Sequence, residues 1–250
     1  MLPSLIRNAS CAATLALVGL LASDASATDV QFKNGHLKIK FDQHVPETVI
    51  AETIAPMVIA VSNGGGLVGF YTGVTNISVK GGPLADLFAA SVIIPGNLSI
   101  KSGAGDDGIY LSGIVSKNVK VSLGTGDDSL EGAGTQLLVG GSYTAKGGAG
   151  DDGFTFEDSM LISGSMSLDL GKGDPAGNQD VGLFDDGKII QKTLSIKLSK
   201  QGDQDAVLED LSAKKVIVRG GKGDNTLDLT LGGNTIGETT TKKVEATLLP

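Results

Sequence analysis

One short motif returns along this chain at nearly constant intervals, and that repetition restricts the fold more than any other feature. It reads GGAGDDGFT at Gly147–Thr155, SGAGDDGIY at Ser102–Tyr110, LGTGDDSLE at Leu123–Glu131 and GGKGDNTLD at Gly220–Asp228. Each copy follows a short alternating segment that opens on a polar residue. These segments begin at Asn76, Asn97, Asn118, Ser142, Ser165, Thr193 and Lys215, so successive starts differ by 21, 21, 24, 23, 28 and 22 residues. A sustained period of this length marks a repeat architecture, in which one supersecondary unit cannot bury its apolar side alone and stacking supplies the core.

Within a unit the order is constant. An alternating segment such as Leu98-Ser-Ile100 leads into the glycine–acid bend, and a second apolar run follows (Ile109–Leu111, Phe154–Phe156). A third run closes the unit (SVIIPG at Ser91–Gly96, QLLVGG at Gln136–Gly141). Period-two alternation bounded by Gly, Asn and Ser is the strand signature. The chain is therefore expected to be all-β, a single-stranded parallel right-handed β-helix (solenoid) with about three short strands per coil. Leu98, Ile100, Val119, Val121, Leu168, Leu194, Ile196, Val216 and Val218 should face inward. A β-sandwich has strands at similar intervals, but nothing in that fold requires one turn chemistry at every third strand.

Residues 76–250 are expected to form the β-helix. Residues 28–75 are β-like (LKIKF, TVIAE, MVIAV) but lack the motif, and should form an N-terminal cap with degenerate coils. Residues 1–27 have the order of a secretory signal peptide: Arg7, the apolar run Cys11–Ala22, then Ala25-Ser-Ala27. The expected location is secreted or at the cell surface, with the periplasm as a further compartment. Cleavage would remove Cys11, the only cysteine, and with it any disulfide or thiolate site. The formal net charge of −8 without a basic cluster favours cations over nucleic acid or anionic membranes.

Coil stacking would place the acid pairs of successive bends one above another. Unit charges about 4.8 Å apart repel by about 0.9 kcal/mol in bulk water and about 3.5 kcal/mol at an effective dielectric near 20. A hard divalent cation between coils would offset this, because calcium takes its ligands from carboxylates and backbone carbonyls. The motif also resembles the RTX, or haemolysin-type, calcium-binding nonapeptide G-G-x-G-x-D-x-U-x. Gly147–Thr155 fits throughout, Gly220–Asp228 fits with Asn225 in place of the acid, and the other two copies miss only the first glycine. The resemblance implies structural calcium ligation by Asp107, Asp128 and Asp152, beside their neighbours Asp106, Asp127 and Asp151. Carbonyls of Gly103, Gly105, Gly124, Gly126, Gly148 and Gly150 would complete the shells. Here one nonapeptide falls in each longer coil, whereas RTX nonapeptides follow one another directly. Pro83–Asp86, Asp174-Pro175 and Gln201–Asp205 read as degraded copies.

No catalytic constellation is legible. His36 and His44 are the only histidines, and Arg219 is the only arginine after Arg7. No nucleophile elbow, phosphate loop or H-E-x-x-H is present. The expected function is that of an exported, non-catalytic structural or adhesive solenoid binding calcium. The alternative is a carbohydrate-active β-helix enzyme, a polysaccharide lyase or hydrolase. Extracellular polysaccharide or another surface protein are the expected partners besides calcium.

Overall fold

The computed structural model describes residues 28–173, 180–183, 187–199, 203–222, 224–230 and 233–247. The signal segment and the Asp174-Pro175 copy lie outside them. The described residues are all-β and contain no helix. From Asn76 onward the strands stack in parallel, each coil pairing with the next, which makes the chain a parallel β-solenoid.

Three columns of strands run along the solenoid. The first holds His36–Lys40, Asn76–Lys80, Leu98–Ala104, Val119–Thr125, Tyr143–Ala149 and Met166–Lys172, each hydrogen-bonded to the next in the same direction. It continues through Thr193–Lys197, Lys215–Arg219 and 238–242. The second column follows the bend and includes Gly108–Leu111, Ser129–Gly132, Gly153–Phe156, Gln204–Leu208 and Asn225–Asp228. The third includes Val92–Ile94, Gly113–Val115, Leu137–Val139 and Ser159–Ile162. Leu87–Ile94 and Gly108–Val115 each run through the second and third columns as one strand.

The period-two pattern explains this packing. Leu98, Ile100, Val119, Val121, Leu168, Leu194, Ile196, Val216 and Val218 are all buried, as the alternation predicts. Each contributes about 1.5–3 kcal/mol by leaving water, but only because a coil lies above and below it. Tyr143 sits in the same inward row, fully buried, with its ring edge-on to Phe156 at 5.7 Å.

Before Asn76 the geometry changes. Asp29–Lys33 pairs antiparallel with His36–Lys40, and Thr48–Ala55, Val58–Asn63 and Gly66–Thr72 form an antiparallel meander. Thr48–Glu52 nevertheless pairs in parallel with Leu87–Ser91. This region therefore both starts the stack and carries a hairpin excursion.

Register also assembles rows that the linear sequence scatters. On the outward side of the first column one row runs Lys40, Lys80, Lys101, Ser122, Lys146, Asp169, Lys197, Arg219 and Lys242. The parallel row is dominated by hydroxyls, among them Ser78, Ser99, Thr144, Ser167 and Ser195.

Candidate metal site in the stacked aspartate turns

The bend after each first-column strand is shaped by two columns of glycine. Gly103, Gly124, Gly148 and Gly171 stack on one another, and so do Gly105, Gly126 and Gly150. Most have strongly positive φ, such as +125° at Gly103 and +129° at Gly126. Close approach matters as much as conformation. A Cβ on Gly124 would lie 1.9 Å from the Gly103 carbonyl oxygen, and one on Gly150 would lie 2.1 Å from that of Gly126. The repeated G-x-G thus lets neighbouring coils touch at the corner without side chains between them.

The adjacent acids that follow have separate tasks. The second of each pair points inward and is buried: Asp107 is 2% exposed, Asp128 3% and Asp152 1%. Each takes a backbone N–H from the preceding coil. The Asp86 N–H donates to Asp107 Oδ1 at 2.8 Å, the Asp107 N–H to Asp128 Oδ1 at 2.8 Å, and the Asp128 N–H to Asp152 Oδ1 at 3.3 Å. The first of each pair lies on the outer side and works in the opposite direction. Asp106 Oδ1 accepts the Asp127 N–H of the following coil at 2.9 Å, and Asp127 Oδ1 accepts that of Asp151 at 2.8 Å. Strand alternation sends the two carboxylates to opposite sides of the wall, and each satisfies a turn amide of a different neighbour. A lone turn aspartate could do only half of this.

The inward row extends beyond the motif. Asp86 lies below Asp107, and its carboxylate is saturated by the Glu47 and Gly82 N–H groups at 2.9 Å each. Glu47 begins the row and accepts from Thr28, Asn63 and the Asp42 N–H. At the other end the row is continued by two buried amides in register, Gln204 and Asn225. The three central acids differ from Glu47 and Asp86, whose carboxylate oxygens are all engaged. The Oδ2 atoms of Asp107, Asp128 and Asp152 are buried and meet no donor at full hydrogen-bond geometry; Ser102 lies beside Asp107, the Gly148 N–H beside Asp152, and the Asp128 and Asp152 carboxyls beside each other.

That deficiency sets the electrostatics. Burial pushes the Asp152 carboxyl up to about 8, with the charge of Asp128 adding to the effect. Burial raises Asp107 to about 6 against the Asp86 N–H that favours its anion. Asp128 is raised as well, by burial first and then by repulsion from Asp106 and Asp127. Asp86 is raised mainly by burial despite its two N–H donors. The row is short of positive charge at its centre.

The sequence-predicted acids are therefore brought into register, but as two rows on opposite sides of the wall. Among the described residues no three His, Cys, Asp or Glu side chains converge on a single point. The carbonyls of Gly103, Gly124 and Gly148 point along the axis at the next glycine, as do those of Gly105 and Gly126. The oxygens that do converge lie beside Gly147. Asp152 Oδ2 and the Leu170 carbonyl oxygen stand 2.3 and 2.5 Å from the point its missing Cβ would occupy. A carboxylate and a carbonyl from successive coils thus close in on Gly147 and leave no room for a side chain there; both are oxygen donors of the kind calcium prefers. The Leu170 carbonyl has no signal in the linear sequence; only the coil register brings it beside Asp152.

His36 belongs to the first column and His44 to the loop that leads into Glu47. His36 Nε2 lies 3.0 Å from Ser78 Oγ in the outward polar row, and His44 Nδ1 lies 3.1 Å from Asp42. That outward corner has its own ladder: the Asn97 N–H donates to Asn76 Oδ1 at 2.9 Å, and the Ser142 N–H to Asn118 Oδ1 at 2.9 Å. Fold and turns together define a parallel β-solenoid whose corners are tied by polar ladders. Comparison with protein-family models, curated proteins and solved structures gives no match.

Proposed function

We propose that this chain is an exported, non-catalytic structural or adhesive β-solenoid whose inward aspartate row takes up calcium. The observation that supports it is the row of buried, unpartnered Oδ2 atoms on Asp107, Asp128 and Asp152. A buried acceptor without a donor costs about 1–3 kcal/mol, and more when it is charged. These three occupy successive coils, where their charges also oppose one another. Calcium supplies the missing positive charge. Asp128, Asp152 and the Leu170 carbonyl are the groups placed to hold it, while the outer acids remain engaged with turn amides.

Thermal unfolding in calcium and in chelator tests this reading. A cation bound only by the folded chain stabilises it by about 2.7 kcal/mol at a hundredfold excess over Kd. For a chain of this size that raises the midpoint by about 5–10 °C. The Asp128→Asn/Asp152→Asn variant should lose the response, whereas Asp203→Asn, in the outer row of a copy with an amide at the inner position, should keep it. A midpoint unchanged by saturating calcium would leave the acids as purely polar ladder residues and overturn the metal assignment.

A further inference from the structure

The outward lysine row was invisible as a cluster in the sequence, because its members lie about one coil apart. We infer that this face is a docking track for a linear acidic polysaccharide carrying one anionic group per sugar. The row contains a single acid, Asp169, and Lys197 Nζ already holds it at 2.7 Å. Lys80, Lys101, Lys146 and Arg219 are exposed. A formally acidic chain thus places seven of its 20 basic residues in one row on a single sheet face, while its turn acids occupy the adjoining corner. Stacking like charges at strand spacing opposes folding, and a solvated face would be served equally well by alternating signs.

Geometry and chemistry favour a glycan over other polyanions. Consecutive rungs repeat at about 4.8 Å, interrupted by Ser122 and by the paired Asp169, and a sugar residue in an extended chain has a similar length. The neighbouring hydroxyl row gives Ser78, Ser99, Thr144 and Ser167 as hydrogen-bond partners for sugar hydroxyls, directly beside the ammonium groups. Neither row contains an aromatic side chain. Single-stranded nucleic acid would need such platforms for its bases. The row's own carboxylate, Asp169, is paired with Lys197, and Asp29 stands beside Lys40 at the track's N-terminal end. This inference is independent of calcium uptake.

The test is titration with a polygalacturonate oligomer at low salt, alongside its methyl-esterified neutral form and a single-stranded oligothymidylate. The acidic glycan should bind, its affinity should fall steeply with salt, and the neutral form should not bind. Lys80→Gln/Lys101→Gln/Lys146→Gln should weaken binding by about tenfold or more, as expected for three surface ion pairs. Lys117→Gln/Lys192→Gln/Lys214→Gln removes the same charge from elsewhere and should change affinity by less than about twofold. Neither variant should unfold below the parent midpoint, since all six side chains are exposed to solvent. No binding of the acidic glycan, equal losses in the two variants, or equally tight binding of oligothymidylate would each overturn the assignment.

Discussion

Gly124→Ala should lower the thermal midpoint by about 10 °C or more, or prevent folding, while Gly153→Ala should leave it nearly unchanged. Both glycines belong to the same repeated motif family, but their surroundings differ. Gly124 has φ of +128°, and its Cβ would meet the Gly103 carbonyl oxygen at 1.9 Å and the Gly103 carbonyl carbon at 2.9 Å. The conformation alone costs about 1–3 kcal/mol for an L side chain. The clash adds to this because the opposing group is backbone, and moving it means parting two coils. Combined losses above about 4 kcal/mol fall in the range reserved for severe core defects, and each kcal/mol shifts the midpoint of such a chain by about 2–4 °C. Gly153 has no heavy atom within 4 Å of its Cβ position and no positive φ. Its substitution should stay within about 0.5 kcal/mol. Circular dichroism melts of the two variants decide the matter. Equal midpoints would mean that the coils do not touch at the glycine corner.

The second large effect is a loss of stability as pH rises. In the folded chain Asp152 holds its proton to about 8 and Asp107 to about 6, against 3.8 for an ordinary aspartate. Between those limits the native state binds more protons than the unfolded chain, so stability falls with increasing pH. The contribution is fully present below pH 3.8 and is lost as pH climbs through 6 and then 8. Between pH 5 and 8.5 about three pH units at Asp152 and about one at Asp107 remain to be lost, at most of the order of 5 kcal/mol at about 1.4 kcal/mol per unit. Without calcium the protein should therefore be more stable at pH 5 than at pH 8.5, the reverse of a chain whose buried acids are salt-bridged. Asp152→Asn should flatten the profile and raise stability at pH 8.5, because an amide places a donor where the carboxylate has a lone pair. Gln204 and Asn225 already put amides in this row. Calcium should act in the same direction as that substitution, and more strongly at high pH, since it binds the deprotonated carboxylates. Denaturant unfolding across this pH range, with calcium and with chelator, measures both effects.

Much of the architecture could be read from the residues. The alternation of Leu98 with Ile100 and of Val119 with Val121 marks inward rows, and the spacing of the bends marks the coil. The stacking of Asp107, Asp128 and Asp152 follows once the repeat is taken as vertical register. What could not be read depends on which residues meet across coils. The sequence motif leaves open that Asp151 and Asp152 face opposite sides of the wall. That is decided by strand parity at the bend, where glycines of positive φ reset the direction. The carbonyl of Leu170 and the lysine row are likewise products of register, with no local signal. The antiparallel meander of residues 48–72 was hidden for another reason: a strand before Asn76 reads alike whether its partner runs parallel or antiparallel.

The most direct test of a charge-deficient inward row is the pH titration of the Asp152 side-chain carboxyl by carbon NMR, in chelator and in calcium. The structure predicts a midpoint near 8 in chelator, and a fall below the ordinary aspartate value when calcium is added. A midpoint near 3.8 in chelator, unmoved by calcium, would contradict it.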